Sequence, residues 1–101
     1  MQRNKISFKG QSIYIGIDVH LKSWSVTILS ATQTLKTFSQ PPSPQALLDY
    51  LSTNYPEATY YSVYEAGFCG FGIHYELYSM GINNIVINTH LLSLLPSVKR
   101  Y

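Results

Sequence analysis

Asp18 and Glu65 are the two residues of this chain whose type and position suit them best to chemistry. Each ends a run of strand-forming residues: Ile13-Tyr14-Ile15-Gly16-Ile17 leads into Asp18, and Thr59-Tyr60-Tyr61-Ser62-Val63-Tyr64 leads into Glu65. The first run is β-branched, aromatic or glycine throughout and reads as a strand buried on both faces. An ionised Asp at the rim of such a strand costs several kcal/mol unless a cation stands beside it, and the strand contains no Lys or Arg. If the two strands are parallel neighbours, both carboxylates project from one edge of the sheet, at the strand carboxyl ends where open α/β sheets place their sites. Two carboxylates held close together repel, and one keeps its proton unless a cation lies between them. A divalent ion relieves the repulsion. Oxygen donors select hard ions such as Mg2+ or Mn2+, and a pair of these about 4 Å apart activates a nucleophile and stabilises the leaving oxygen in phosphodiester chemistry. The plainer alternative is that Asp18 caps the turn from Val19 to Ser23 and Glu65 caps the helix that follows it, where the helix dipole favours an anion.

The other polar candidates are weaker. Asp49 and Glu76 fall on helices and Glu57 in a loop, all facing solvent. His20 and Lys22 flank Asp18 in its turn and are candidates to approach a nucleic-acid phosphate, although exposed turn residues have that character by default. Gly67-Phe68-Cys69-Gly70-Phe71-Gly72 leads from a strand into a helix, the place for a phosphate cradle. Its glycine spacing reverses the dinucleotide fingerprint, and no acidic residue stands about 20 residues on after a second strand; close packing of the helix on the sheet explains the glycines better. Cys69 reads as a buried structural thiol, since His74, five residues on, lies off its helical face. His90 stands alone in a loop. Nine tyrosines and Trp24 could stack on bases, yet most recur at strand or helix periodicity, as core residues do.

The elements that position the carboxylates follow from periodicity. After the first strand and its short turn, Trp24, Val26 and Ile28 alternate with polar neighbours, the pattern of a half-buried strand, and the short connection makes it antiparallel to the first. A weaker strand over Gln33 to Ser39, with Lys36, suits a sheet edge. Ser43-Pro44 is a helix start, with a capping hydroxyl and proline at the first position; Leu47, Leu48, Leu51 and Tyr55 form its apolar stripe before Pro56. The strand over Thr59 to Glu65 comes next. Phe68, Phe71, Tyr75 and Tyr78 recur at helical spacing up to Met80, and Gly81 occupies the left-handed cap position. A last strand, Asn83 to Asn88, has Ile85, Val86 and Ile87 in succession, as in a parallel strand covered on both faces. The expected fold is α/β, ordered β-β-β-α-β-α-β, with a mixed five-stranded sheet: an antiparallel meander, then a crossover into strands parallel to the first.

With 101 residues and 46% hydrophobic content, the chain fits one compact domain, residues 13–101, after a loose basic segment at 1–12. Charged residues make up only 12%, about half the usual share, which implies surface covered by another subunit or by further chain. The sequence ends shortly after Leu91-Leu92-Ser93-Leu94-Leu95-Pro96 and reads as a fragment truncated at its C-terminus. A formal charge of +2 is too small to imply nucleic acid by itself, despite Arg3, Lys5 and Lys9 at one end and Lys99 and Arg100 at the other. No run approaches the roughly 18 apolar residues of a membrane span, and the single cysteine, Cys69, fits a reducing cytoplasm.

Taken together, Tyr14-Ile15-Gly16-Ile17-Asp18-Val19-His20 with Lys22, Trp24 and Val26, and Tyr64-Glu65-Ala66-Gly67 opening a helix, resemble the amino-terminal part of DEDD transposases of bacterial insertion sequences, relatives of the Piv invertases. The similarity covers roughly Ile13 to Pro96. It implies a RuvC-like, RNase H-like fold, Asp18 and Glu65 as the first two acidic metal ligands, and Mg2+-dependent (or Mn2+-dependent) DNA cleavage and joining in a bacterial cytoplasm. The implied partners are DNA, in some members an element-encoded guide RNA, and further copies of the chain, with no membrane. That family's other two aspartates belong to a later Asp-x-x-Asp-Ala segment, and its downstream domain carries a serine; this chain has no Asp or Glu after Glu76. Two rival readings stand. One is a non-catalytic dimerisation or nucleic-acid-binding module using the apolar Leu91 to Leu95. The other is an actin-like sugar or acetate kinase, which needs a glycine-containing phosphate loop where this chain has Val19-His20-Leu21-Lys22-Ser23.

Overall fold

The computed structural model describes residues 7–67 and 70–88. Seven elements follow one another: β1 (Ser12–Val19), β2 (Trp24–Leu29), β3 (Thr34–Gln40), α1 (Pro44–Asn54), β4 (Thr59–Ala66), α2 (Gly72–Ser79) and β5 (Asn83–Asn88). The strands form one mixed sheet in the order β3-β2-β1-β4-β5. β1, β2 and β3 pair antiparallel, while β4 pairs parallel with both β1 and β5. The meander, the crossover and the central place of β1 are those expected from the sequence. None of the described helices is long and apolar enough to cross a membrane. Met1 to Ile6, Phe68, Cys69, His90, the Leu91 to Leu95 run, Lys99 and Arg100 lie outside the described residues.

Both helices pack on one face of the sheet. Ile13, Ile15 and Ile17 of β1 and Trp24, Val26 and Ile28 of β2 form a buried cluster with Leu47 and Leu51 of α1, Tyr64 of β4, Leu77 of α2, and Ile82. Period-2 alternation in the strands thus meets period-3.6 spacing in the helices, which lets one core form from a single side of the sheet. α1 starts as its sequence dictates: the Ser43 Oγ accepts a hydrogen bond from the Ala46 N–H at 3.1 Å, and Pro44 is the first helical residue. At the other end, the Tyr60 hydroxyl donates to the carbonyls of Leu51 (3.1 Å) and Tyr55 (2.7 Å), adding to the bonds these accept from the Tyr55 and Ala58 N–H groups and tying β4 to the end of the helix. Burial raises the Tyr60 pKa above its ordinary value, so the hydroxyl stays a donor.

α2 ends in a Schellman motif. Gly81, with φ at +86°, lets its own N–H donate to the Tyr78 carbonyl at 3.0 Å and the Ile82 N–H donate to Leu77 at 3.0 Å, while the side chains of Ile82 and Leu77 are both fully buried.

Four expectations need correction. β1 is buried on one face only: Tyr14 is 41% exposed and Asp18 lies open, because no described element covers the second face. β5 is likewise one-sided, with Ile85 66% exposed. In α2 the aromatic stripe faces outward, with Phe71, Tyr75 and Tyr78 all exposed, and it is Ile73 and Leu77 that turn to the sheet; the helix also starts at Gly72, without a side-chain cap, rather than at Phe68. Finally, a Cβ at Gly67, Gly70 or Gly72 would meet nothing within 4 Å, so these glycines do not serve close packing; Gly70 is required instead by its φ of +58°.

Leu51 joins helix to sheet with no exposed surface. Leu51→Ala is expected to lower unfolding free energy by about 2–5 kcal/mol, whereas Tyr75→Ala, at the exposed stripe, should change it by less than about 0.5 kcal/mol; urea denaturation measures both.

Candidate acidic site at the sheet edge

The parallel register of β1 and β4 ends at Ile17 opposite Tyr64, so Asp18 and Glu65 occupy the next rung of adjacent strands. Asp18 is also opposite Ser25 of β2, and Glu65 opposite Ile87 of β5. This rung runs Ser25, Asp18, Glu65, Ile87 across the open face, at the carboxyl ends of β1 and β4. Neighbouring strands lie about 4.8 Å apart, a spacing at which two carboxylates can bracket a cation with metal–oxygen bonds of about 2.1 Å. Two rungs below, Tyr14 and Tyr61 stack with ring centroids 5.7 Å apart. The rung between has Gly16 beside Val63, and a hollow of about 320 Å³ lies over Gly16, lined by Tyr14, Tyr61, Leu29, Val63 and Ile85.

Asp18 has one basic neighbour among the described residues, His20, which forms an ion pair with it only when the imidazole is protonated. The His20 Nε2 lies 3.2 Å from its Oδ2, with the two side chains 62% and 73% exposed respectively, and at that exposure the pair contributes little to stability. The His20 N–H donates to the Ser23 carbonyl at 3.1 Å, closing the β1–β2 turn. Lys22 is exposed in the same turn. Glu65 has no hydrogen bond or ion pair among the described residues, and it lies in β4, six residues before the Phe71 cap of α2. Capping α2 is therefore not its role. Asp18 and Glu65 are brought together as expected, and His20 joins Asp18 alone: no group of three or more His, Cys, Asp or Glu side chains within reach of one metal ion occurs among the described residues. The donor set is two hard oxygen ligands facing solvent. That suits an ion such as Mg2+, which retains several waters and is commonly held by one or two carboxylates.

One polar cluster was not visible in the sequence. Ser62 of β4 donates its hydroxyl to the Asn84 Oδ1 of β5 at 2.6 Å, and the Asn84 Nδ2 donates to the His74 Nδ1 of α2 at 3.0 Å. The Tyr64 hydroxyl accepts from the His74 N–H at 3.0 Å and donates to the Gly70 carbonyl at 2.8 Å. These bonds fasten the start of α2, and the turn after Glu65, to the buried side of the sheet. A polar residue on the buried phase of each strand, Ser62 and Asn84, was the available signal. Ser62→Ala leaves the Asn84 oxygen buried without its donor; unfolding in urea should show a loss of about 1–3 kcal/mol, and a change near zero would mean that the bond contributes nothing.

The chain matches no model of a known protein family and no curated protein.

Proposed function

We propose that this chain forms the amino-terminal half of an RNase H-like catalytic domain that cleaves and joins DNA with divalent metal, as in the DEDD transposases it resembles, with Asp18 and Glu65 as two of its metal ligands. The observation that carries this reading is the rung shared by the two carboxylates: residues 47 positions apart in the sequence end adjacent parallel strands on one open face. The strand order β3-β2-β1-β4-β5 and the helices after β3 and β4 suit that fold. A bound Mg2+ or Mn2+ would polarise the scissile phosphate and lower the pKa of the attacking water or hydroxyl. The protein's part is to hold two charges close together on rigid strands, so that binding the ion removes their mutual repulsion and costs little reorganisation. His20, paired to Asp18, and Lys22 stand in the adjoining turn, where they can contact the DNA backbone beside the cut. Further copies of the chain, and in some elements a guide RNA, are the remaining partners of this reading.

Two carboxylates are half of the acidic set this chemistry uses. The 101-residue chain alone is expected to give no Mg2+-dependent nicking of plasmid DNA, and reproducible nicking would contradict that. In the complete protein, Asp18→Asn or Glu65→Gln should each reduce strand transfer by roughly three orders of magnitude, as fits the loss of several kcal/mol of charge stabilisation. Transposition unchanged by either substitution would favour a non-catalytic assembly module instead.

A further inference from the structure

The face of the sheet away from the helices is broad and almost uncharged. Leu29 of β2, Tyr14 of β1, Tyr61 of β4 and Ile85 of β5 line one hollow, so the apolar area reaches across four of the five strands. Hydroxyls complete it over the meander, with Ser25 opposite Ser39 and Thr27 opposite Thr37. Among the described residues the strands place only two charges on this face, Asp18 and Glu65, both at one end. Parallel strands in α/β folds are covered on both faces, yet Ile85 is 66% exposed and both helices lie on the other side. Gly16 stands at the centre, on the middle strand, one rung from the Tyr14–Tyr61 pair and one from the carboxylates. Nothing in the single chain calls for a glycine there. Its φ is not left-handed and a Cβ would meet nothing within 4 Å, while glycine inside a strand weakens it. Such a strand glycine marks a place where another body approaches the backbone.

We propose that a second copy of the chain covers this face, sheet against sheet with the strands antiparallel, Tyr14 of each copy seated over Gly16 of the other. Aligned sheets pack about 10 Å apart with interdigitating side chains, so a residue without a side chain needs a long one opposite. Here knob and hole lie one rung apart on the same strand. A two-fold axis running across the strands, midway between those rungs, brings each tyrosine onto the other copy's glycine and sets Tyr61 over Val63 in the same way. Two further features select that axis. It lays β3 on β3 and β5 on β5, so hydroxyls meet hydroxyls and apolar side chains meet apolar ones; an axis along the strands would lay Thr37 on Ile85. It also sends the acidic rungs to opposite ends of the dimer, about 20 Å apart, where the other axis would set Asp18 against Asp18. With no Lys or Arg, the face offers nothing to a nucleic-acid backbone. It measures about 24 Å by 20 Å, so two copies bury about 1,000 Å² in all, the lower bound for a specific interface, and the dimer is weak and concentration-dependent. The pairing uses neither carboxylate and stands or falls separately from the metal reading.

The test is sedimentation equilibrium of the full 101-residue chain between about 1 μM and 1 mM, the span of a weak association. The mass is expected to double across that range. Gly16→Val, whose side chain has room in the single chain, should stay monomeric with an unchanged or higher urea midpoint, and Tyr75→Ala, on the exposed aromatic stripe of α2, should dimerise like the unaltered chain. A sample mixing isotope-labelled and unlabelled chains reads the geometry without any substitution: nuclear Overhauser contacts are expected between the Gly16 Hα protons of one chain and the Tyr14 ring of another. A chain that stays monomeric throughout would overturn the proposal. So would a dimer that survives Gly16→Val, one that is lost in Tyr75→Ala, or one that lacks the interchain contact.

Discussion

Parallel pairing of β1 with β4 is the constraint on which the rest depends. It joins the antiparallel meander to the βαβ unit, centres the core on Ile13, Ile15 and Ile17, and sets Asp18 beside Glu65 at the sheet's end. Its register matters as much as its direction. A slip of one residue would send one carboxylate to the buried face and bring a core side chain to solvent, so the isoleucine alternation that holds the core together also fixes the geometry of the acidic pair. Stability and site geometry are therefore set by the same few residues.

The two faces of the sheet then do different work. The covered face carries the apolar cluster, and its few polar groups, Ser62, Asn84 and His74, are joined by hydrogen bonds that hold α2 in place. The opposite face carries hydroxyls and Leu29 over the meander, aromatic and aliphatic side chains over the parallel strands, and carboxylates at the end. Among the described residues nothing covers this face, and both carboxylates lie exposed to solvent.

Much of this was legible in the sequence because it depends on local patterning. Trp24, Val26 and Ile28 alternate and are buried; Ser43 and Pro44 start a helix; Gly81 ends one; two strands that finish on carboxylates lie side by side. What was misread concerns the second layer. Ile85-Val86-Ile87 has the composition of a strand covered twice, but composition does not say which segment supplies the cover. Phe71, Tyr75 and Tyr78 share a helical face as well as any core residues do, and the turn that seats Ile73 and Leu77 on the sheet decides against them. The bond between Ser62 and Asn84 links residues 22 positions apart: each interrupts the buried phase of its strand, but nothing local to either names the other as its partner.

The central claim is that Asp18 and Glu65 hold one divalent ion between them. Titrating Mn2+ into the 15N-labelled chain tests it directly, since paramagnetic broadening falls off steeply with distance from the ion. Broadening centred jointly on the amides of Asp18 and Glu65, and lost in both Asp18→Asn and Glu65→Gln, is the predicted result. Broadening centred on a histidine away from the rung, or unchanged by either substitution, would contradict it.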